Sequence, residues 1–232
     1  LVGSEMCIRD SRKEYMDAER DLIMYLQKYK DADDDKIAKA MRGEVMVRIN
    51  ILRQISARGK VRDVIEFVKD FRENGKKIIL FCSLHEVVDQ LKRYFPTAVS
   101  VTGRDSQDEK QRAVDAFQNN PKADIIVCSI KAAGVGLTLT ASSNVAFVEF
   151  PWTYADCCQC EDRAHRIGQK DSVTCYYFLG RRTIDEKVYR IIQEKKNIAN
   201  AVTGSTENIE ENIVDMVARI FDTDYDLSLI HI

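Results

Sequence analysis

The residues with the plainest chemical content form one run, Gln159-Cys160-Glu161-Asp162-Arg163-Ala164-His165-Arg166-Ile167-Gly168-Gln169. Arg163 and Arg166 are three positions apart, and on a helix that spacing lets both guanidinium groups leave one face. A guanidinium is planar, permanently charged and forked, so it grips phosphate oxygens through paired hydrogen bonds. Two such groups suit a phosphoryl group on which charge builds during transfer. The competing reading is a charge cluster on a helix surface, Glu161 and Asp162 against the arginines. A second run, from Ile126 to Thr140, passes from an apolar strand into small residues and then threonines. Gly134 and Gly136 let a backbone approach a polyanion closely. The amides there and the Thr138 hydroxyl can meet phosphate oxygens without reading base sequence. A plain glycine turn between strands is the alternative.

Cys157 and Cys160 have the spacing of a metal-binding pair, but a structural zinc site needs four ligands. No second pair exists and the three histidines are scattered. The cysteines of this segment read better as small apolar side chains on a buried helix face. Across the chain the seven cysteines form no evenly spaced framework, which points to a reducing compartment. The formal net charge of −2 provides no global field for nucleic acid. Any DNA contact must come from a local surface. No apolar stretch is long enough to span a bilayer, so no membrane partner is expected.

These runs need elements to hold them. Apolar residues at helical spacing predict helices over 14–30, 36–56 and 61–73, with Gly59 separating the second and third and Asn74-Gly75 ending the last. Beyond Gly75 the pattern changes. Ile78 to Cys82 is a continuous apolar run, as in a parallel strand buried on both faces. Further strands are predicted over 98–101, 124–128, 145–150 and 173–179. Between them come helices over 84–94, from the capping box Ser106…Glu109 to before Pro121, and from Thr153 through the arginines. Thr183-Ile184-Asp185-Glu186 opens another helix, and a last one fits 209–221. Strands alternating with helices predict an α/β fold, a parallel sheet with helices on both faces, preceded by an α-helical segment. In such sheets ligands bind along the edge where the strands end. The terminal segments 1–11 and 226–232 fit no pattern of their neighbours and resemble translated adapter read-through. They are set apart as non-native ends, which would make the chain a piece of a longer reading frame.

The arginine run closely resembles motif VI of the Swi/Snf-type DNA-dependent ATPases, a branch of the superfamily-two helicases. That motif reads Gln-x-x-Asp-Arg-x-His-Arg-x-Gly-Gln, and Gln159, Asp162, Arg163, His165, Arg166, Gly168 and Gln169 fill its fixed positions. Ile126 to Thr140 resembles motif V. Lys77 to Tyr94 resembles motif IV, with Ser83 and His85 just past a strand. Val101-Thr102-Gly103-Arg104 resembles the glycine-serine segment, with Asp105 intervening before Ser106. The resemblance covers roughly residues 60–196. It implies the second RecA-like lobe, a P-loop-NTPase-like helicase lobe, over 60–203. A helical insertion or linker precedes it over 12–59, and a C-terminal helix follows over 204–225. Two departures, Ala133 before Gly134 and Thr138 where the family commonly has Asn, resemble the fork-remodelling, strand-annealing branch and its bacterial and phage-borne relatives. The implied location is the bacterial or phage-infected cytoplasm, or the nucleus of a eukaryote.

The resemblance also implies roles. Arg166 would be an arginine finger on the γ-phosphate of ATP, Arg163 its companion and Gln159 their positioner. Gly134, Gly136, Asp162 and Gln169 would lie at the nucleotide, and Ser83, Thr102 and Thr138 at the DNA backbone. ATP and Mg²⁺ would be bound mainly by an N-terminal RecA-like lobe. Its Gly-x-x-x-x-Gly-Lys-Ser/Thr loop and Asp-Glu-x-His box do not occur in these residues. The implied partners are that lobe and double-stranded or branched DNA, and the implied activity is ATP-dependent DNA translocation. A non-catalytic nucleic-acid-binding or regulatory module is the alternative. A dinucleotide oxidoreductase fits poorly, because Leu139 stands where its third glycine belongs.

Overall fold

The computed structural model describes residues 2–4, 9–30, 35–132 and 136–199, together with Val217 and Phe221. Ile78 to Cys82 is buried at every position, which places it at the centre of the fold. This strand, β2, pairs in parallel with β4 (Ile125–Ser129) on one side and β5 (Asn144–Phe147) on the other. Beyond β4 lies β3 (Val99–Val101), and beyond β5 lies β6 (Thr174–Gly180), again parallel. Val2–Ser4, within the segment set apart on sequence, forms β1 and pairs in parallel with β6, Val2 opposite Phe178. The order across the sheet is β1-β6-β5-β2-β4-β3.

Because side chains alternate along a strand, each buried run feeds two cores. Ile78, Leu80, Cys82, Ile125, Val127, Ala146 and Phe178 face Ala57, Val61, Val64 and Val68 of α2 (Asp35–Glu73) and Val87, Val88 and Leu91 of α3 (His85–Tyr94). Ile79, Phe81, Ile126, Cys128, Val145 and Phe147 face the other way. There they meet Val114 and Phe117 of α4 (Gln107–Asn119), Cys160 of α5 (Tyr154–Glu161), and Ile130, Ala132 and Leu139 of the segment between β4 and β5. The capping box is present as expected: Ser106 Oγ accepts from Glu109 N, and the Glu109 carboxylate accepts from Ser106 N. The sheet with helices on both faces is a RecA-like α/β fold.

Two helices read as separate are one. α2 runs unbroken through Gly59, which is buried. Val45, Ile49 and Leu52 share one side of it, whereas Ala57, Val61, Val64 and Val68 lie roughly a third of a turn further round, at about 100° per residue. That shift of the apolar stripe, not a break in the backbone, imitated an interruption. Glycine inside a helix costs about 1 kcal/mol, an amount that packing along its length readily offsets.

The chain divides into two compact units, residues 1–7 with 57–181, and 8–56 with 182–232. The sheet lies in the first. In the second, α1 (Arg9–Lys30) buries Tyr15, Leu22 and Leu26, and α6 (Ile184–Ala199) buries Ile184, Val188, Ile191 and Ile192. The helices of this unit are tied by polar contacts. Tyr15 Oη accepts from Ile184 N at 2.6 Å, and Ser56 Oγ donates to Asp185 Oδ2 at 2.8 Å. Arg48 Nε donates to Asp21 Oδ2 at 2.9 Å. α6 thus groups with the N-terminal helices, whereas the sequence reading kept it with the sheet. The helix expected over 209–221 lies outside the described residues, save Val217 and Phe221, both helical and buried.

Candidate functional site

After β4 the chain crosses one face of the sheet to reach the start of β5. Ser129 Oγ accepts from Ala132 N at 3.2 Å and turns the chain out of the strand. Gly134 lies outside the described residues. Gly136 is exposed with φ of 53°, a left-handed conformation that a side chain would strain. Leu139 then drops into the core and anchors the crossover from below.

The arginine run packs on this crossover. α5 begins where Thr153 Oγ1 accepts from Asp156 N at 3.0 Å, and it ends at Glu161. The expected helix does not reach the arginines. Arg163 O, which a continuing helix would offer to Ile167 N, accepts instead from Leu139 N at 2.9 Å. Arg166 N turns back to Ala164 O at 3.1 Å, and Gly168, at φ of 104°, closes the turn. The two guanidinium groups therefore do not share a helix face. Arg163 is 6% exposed, and its Nε is buried without a hydrogen-bond partner among the described residues. Arg166 is exposed, and its Nη1 donates to Gly136 O and Thr138 Oγ1, both at 3.3 Å, long for such bonds. Burial, and secondly the neighbouring Arg166 charge, make the Arg163 guanidinium more acidic than usual, though a guanidinium still keeps its proton.

Gln169 joins the same two segments further along. Its Nε2 donates to Ser142 O at 2.9 Å and, more weakly, to Ala164 O at 3.3 Å and Thr140 O at 3.4 Å. Its Oε1 accepts from Lys170 N and Asp171 N. The amide expected at the nucleotide is thus fully engaged with backbone. Gln159 and Asp162 are exposed on either side of Glu161, Gln159 on α5 and Asp162 just beyond it. An open pocket of about 670 Å³ is lined by His165, Arg166, Ile167 and Gln169, among others, and Ile167 projects fully into solvent.

The expected DNA-facing residues lie where strands end. Ser83 is exposed directly after β2. Thr102, directly after β3, is buried, and its hydroxyl donates to Asp105 Oδ2 at 2.9 Å and accepts from Arg104 N at 3.2 Å. Its oxygen is occupied by its own turn, and Asp105, the residue that intrudes before Ser106, does the occupying. Thr138 sits between the two runs as an acceptor for Arg166. Cys157 and Cys160 are buried, and burial pushes the Cys160 thiol up to about 12.

Sequence reasoning missed one contact. The Tyr177 hydroxyl, on β6, donates to Glu161 Oε1 at the last residue of α5. The Tyr177 ring stacks on Phe147 at 5.0 Å and 8°, and on Phe150 at 5.0 Å and 16°. Phe147 in turn stacks on Phe81 at 5.3 Å. The glutamate was visible in the run, but its partner is sixteen residues further on and carries no local signal.

The guanidinium and amide donors gathered here suit phosphate oxygens and do not suit a divalent cation, which takes oxygen ligands. Residues 59–168 match the helicase conserved C-terminal domain family. Among curated proteins, the chain is 32% identical over 161 residues to the SWI/SNF-related matrix-associated actin-dependent regulator of chromatin subfamily A-like protein 1 of Xenopus tropicalis, covering 67% of this chain and 17% of that protein. It is 31% identical over 168 residues to an uncharacterized ATP-dependent helicase of Mycoplasma pneumoniae, covering 70% of this chain and 16% of that protein. The matched part therefore spans about a sixth of the length of these two relatives. The Sulfolobus solfataricus SWI2/SNF2 ATPase core, solved in complex with dsDNA, superposes with a TM-score of 0.69 at 20% identity, over 95% of this chain and 47% of that one. No helix among the described residues is long and apolar enough to cross a membrane.

Proposed function

From the premise that this chain belongs to the Swi/Snf-type ATPases and carries their helicase C-terminal lobe, we propose that it serves ATP hydrolysis at a cleft shared with an N-terminal RecA-like lobe, in a protein that translocates on double-stranded DNA. The observation that carries this reading is the pair of unequal arginines in one turn. Arg163 is buried with its Nε unpartnered among the described residues, and Arg166 is exposed on two long bonds. A buried, unmatched donor is costly unless a ligand completes it. Long bonds from an exposed guanidinium are easily exchanged for phosphate oxygens.

In this mechanism Arg166 is the arginine finger on the γ-phosphate, and Arg163 supplies a second positive group behind it. Gln159 and Asp162 border the nucleotide. Gln169 holds the turn from within, while the loop at Gly136 senses the nucleotide, a role that Gly134 shares by its place in the motif. When Arg166 turns to phosphate it lets go of Gly136 O and Thr138 Oγ1. The part of the crossover around Gly136 is then freed, while Leu139 stays anchored, and the crossover's other end lies beside the ends of β2 and β3, near the DNA-facing positions Ser83 and Thr102. Nucleotide state is thereby passed to DNA grip. Mg²⁺ neutralises phosphate charge when bound, and it falls to the carboxylates of the N-terminal lobe. Ala133 and Thr138 favour a fork-remodelling role, on branched as well as linear duplexes.

The test is Arg166→Ala in the complete protein. DNA-stimulated ATP turnover should fall about 10³-fold or more, the usual weight of an arginine finger. Duplex affinity, measured across a salt series, should stay near the parent value. Turnover at the parent rate would sink the assignment. The 232-residue chain by itself should hydrolyse no ATP.

A further inference from the structure

The arginine turn is held at its middle by Leu139 and Arg166 and at its tail by Gln169, all to the crossover. Ala164 also packs into the core beneath it, but apolar packing is non-directional and does not set the register of the side chains beside it. What fixes its head is different in kind. Glu161 is the hinge residue between α5 and the turn, and its carbonyl accepts from both Ala164 N and His165 N at 3.1 Å. Its carboxylate accepts from the Tyr177 hydroxyl. Tyr177 belongs to the sheet, with its ring in a stack that runs Phe81–Phe147–Tyr177–Phe150. Phe81 and Phe147 are wholly buried. Burial first, and then the bond to Glu161, push the Tyr177 phenol far up, so it remains a donor throughout the working pH range. The hydroxyl is thus a fixed donor on a rigid strand, aimed at the one residue that sets where the arginines begin.

We propose that Tyr177 is a positioning residue for the arginine turn, acting through Glu161: it ties the phosphate-gripping segment to the sheet so that the crossover can move while the arginines stay in register. The effect on turnover rests on the arginine assignment above, and the effect on the turn itself does not.

Two measurements test it. The first is amide hydrogen exchange on this 232-residue chain, which needs no nucleotide. Tyr177→Phe keeps the ring and its stacking and removes only the hydroxyl. Ala164 and His165 amides should exchange about tenfold faster, while amides of β2 and β4 are unchanged, as local opening requires. Unchanged exchange at Ala164 and His165 overturns the proposal, and so does faster exchange across the whole sheet.

The second is steady-state ATP turnover in the complete protein, alongside Arg166→Ala. Tyr177→Phe should lower kcat by about tenfold, since small misplacements of a catalytic group weigh heavily on rate, with KM for ATP held within about twofold. Glu161→Ala should match it, and the double variant should be no worse than either, because both remove one contact. Glu161→Gln, which still offers an acceptor oxygen, should recover turnover to within about threefold of the parent. Equal loss in Glu161→Gln and Glu161→Ala, or a parent rate in Tyr177→Phe while Arg166→Ala is inactive, overturns the positioning role alone. A parent rate in Arg166→Ala overturns the functional reading instead, and the exchange measurement still decides the contact.

Discussion

The two faces of the sheet are covered by different kinds of structure. On one face α2 and α3 lay regular helices over Leu80, Val127 and Phe178, and the contacts are side chain against side chain. On the other face α4 does the same at one end. The remainder is covered by the short α5 through Cys160, and by the crossover and the turn after α5, with Ile130, Ala132, Leu139 and Ala164 as the apolar pins. A helix uses its own backbone groups internally, and an irregular segment leaves them available. That is why Gly136 O, Thr140 O, Ser142 O and Arg163 O can all take part in contacts between segments here. The regular face supplies stability, and the irregular face supplies groups that can change partners.

Substitutions can break that contrast or sharpen it. The largest effect should come from Arg163→Met, which keeps most of the volume and removes the charge. Turnover in the complete protein should fall about 10³-fold. The melting temperature should hold or rise, because the substitution removes a buried Nε that has no hydrogen-bond partner among the described residues. Strong destabilisation in a thermal melt would mean that Arg163 is a structural residue after all. Phe178→Ala on the regular face should do the reverse in this chain. It should cost about 3–5 kcal/mol in a denaturant titration, as truncation of a buried aromatic does. A loss under about 1 kcal/mol would erase the distinction between the faces. Gln169→Ala should be the mildest, at about 1–2 kcal/mol, because Gln169 is itself half-buried and water can replace part of what is lost. Its signature should be faster amide exchange confined to residues 139–144 and 164–171.

The sheet was legible because its signal is local. A run such as Ile125-Ile126-Val127-Cys128 declares a strand buried on both faces without reference to anything distant. The capping box of α4 is equally local, with Ser106 and Glu109 three residues apart. The fate of the arginines was not local. Their segment has helical spacing, and only a donor from Leu139, twenty-four residues earlier, diverts Arg163 O and stops the helix. The same holds for Tyr177, whose hydroxyl has no meaning until β6 lies beside α5. Thr102 shows the converse. Its hydroxyl seemed free for phosphate, yet the Asp105 that occupies it was in plain view three residues on. Gln159, Asp162, Arg163, Arg166 and Gln169 do fall around one turn, and Gly136 and Thr138 lie directly against it. Ser83 and Thr102 stand apart, at the ends of β2 and β3.

The joint between the crossover and the arginine turn is made largely of main-chain atoms. Among the described crossover groups that Arg166 and Gln169 hold, only Thr138 Oγ1 belongs to a side chain, and the carbonyls of Gly136, Thr140 and Ser142 do the rest. A fastening of that kind is indifferent to most replacements along its length. The exposed positions of the crossover are therefore free to drift over evolutionary time, restrained by the left-handed glycine at 136 and by the buried Ile130, Ala132 and Leu139. The arginine turn, which contributes the side chains of Arg166 and Gln169 beside the Arg163 carbonyl, has less latitude.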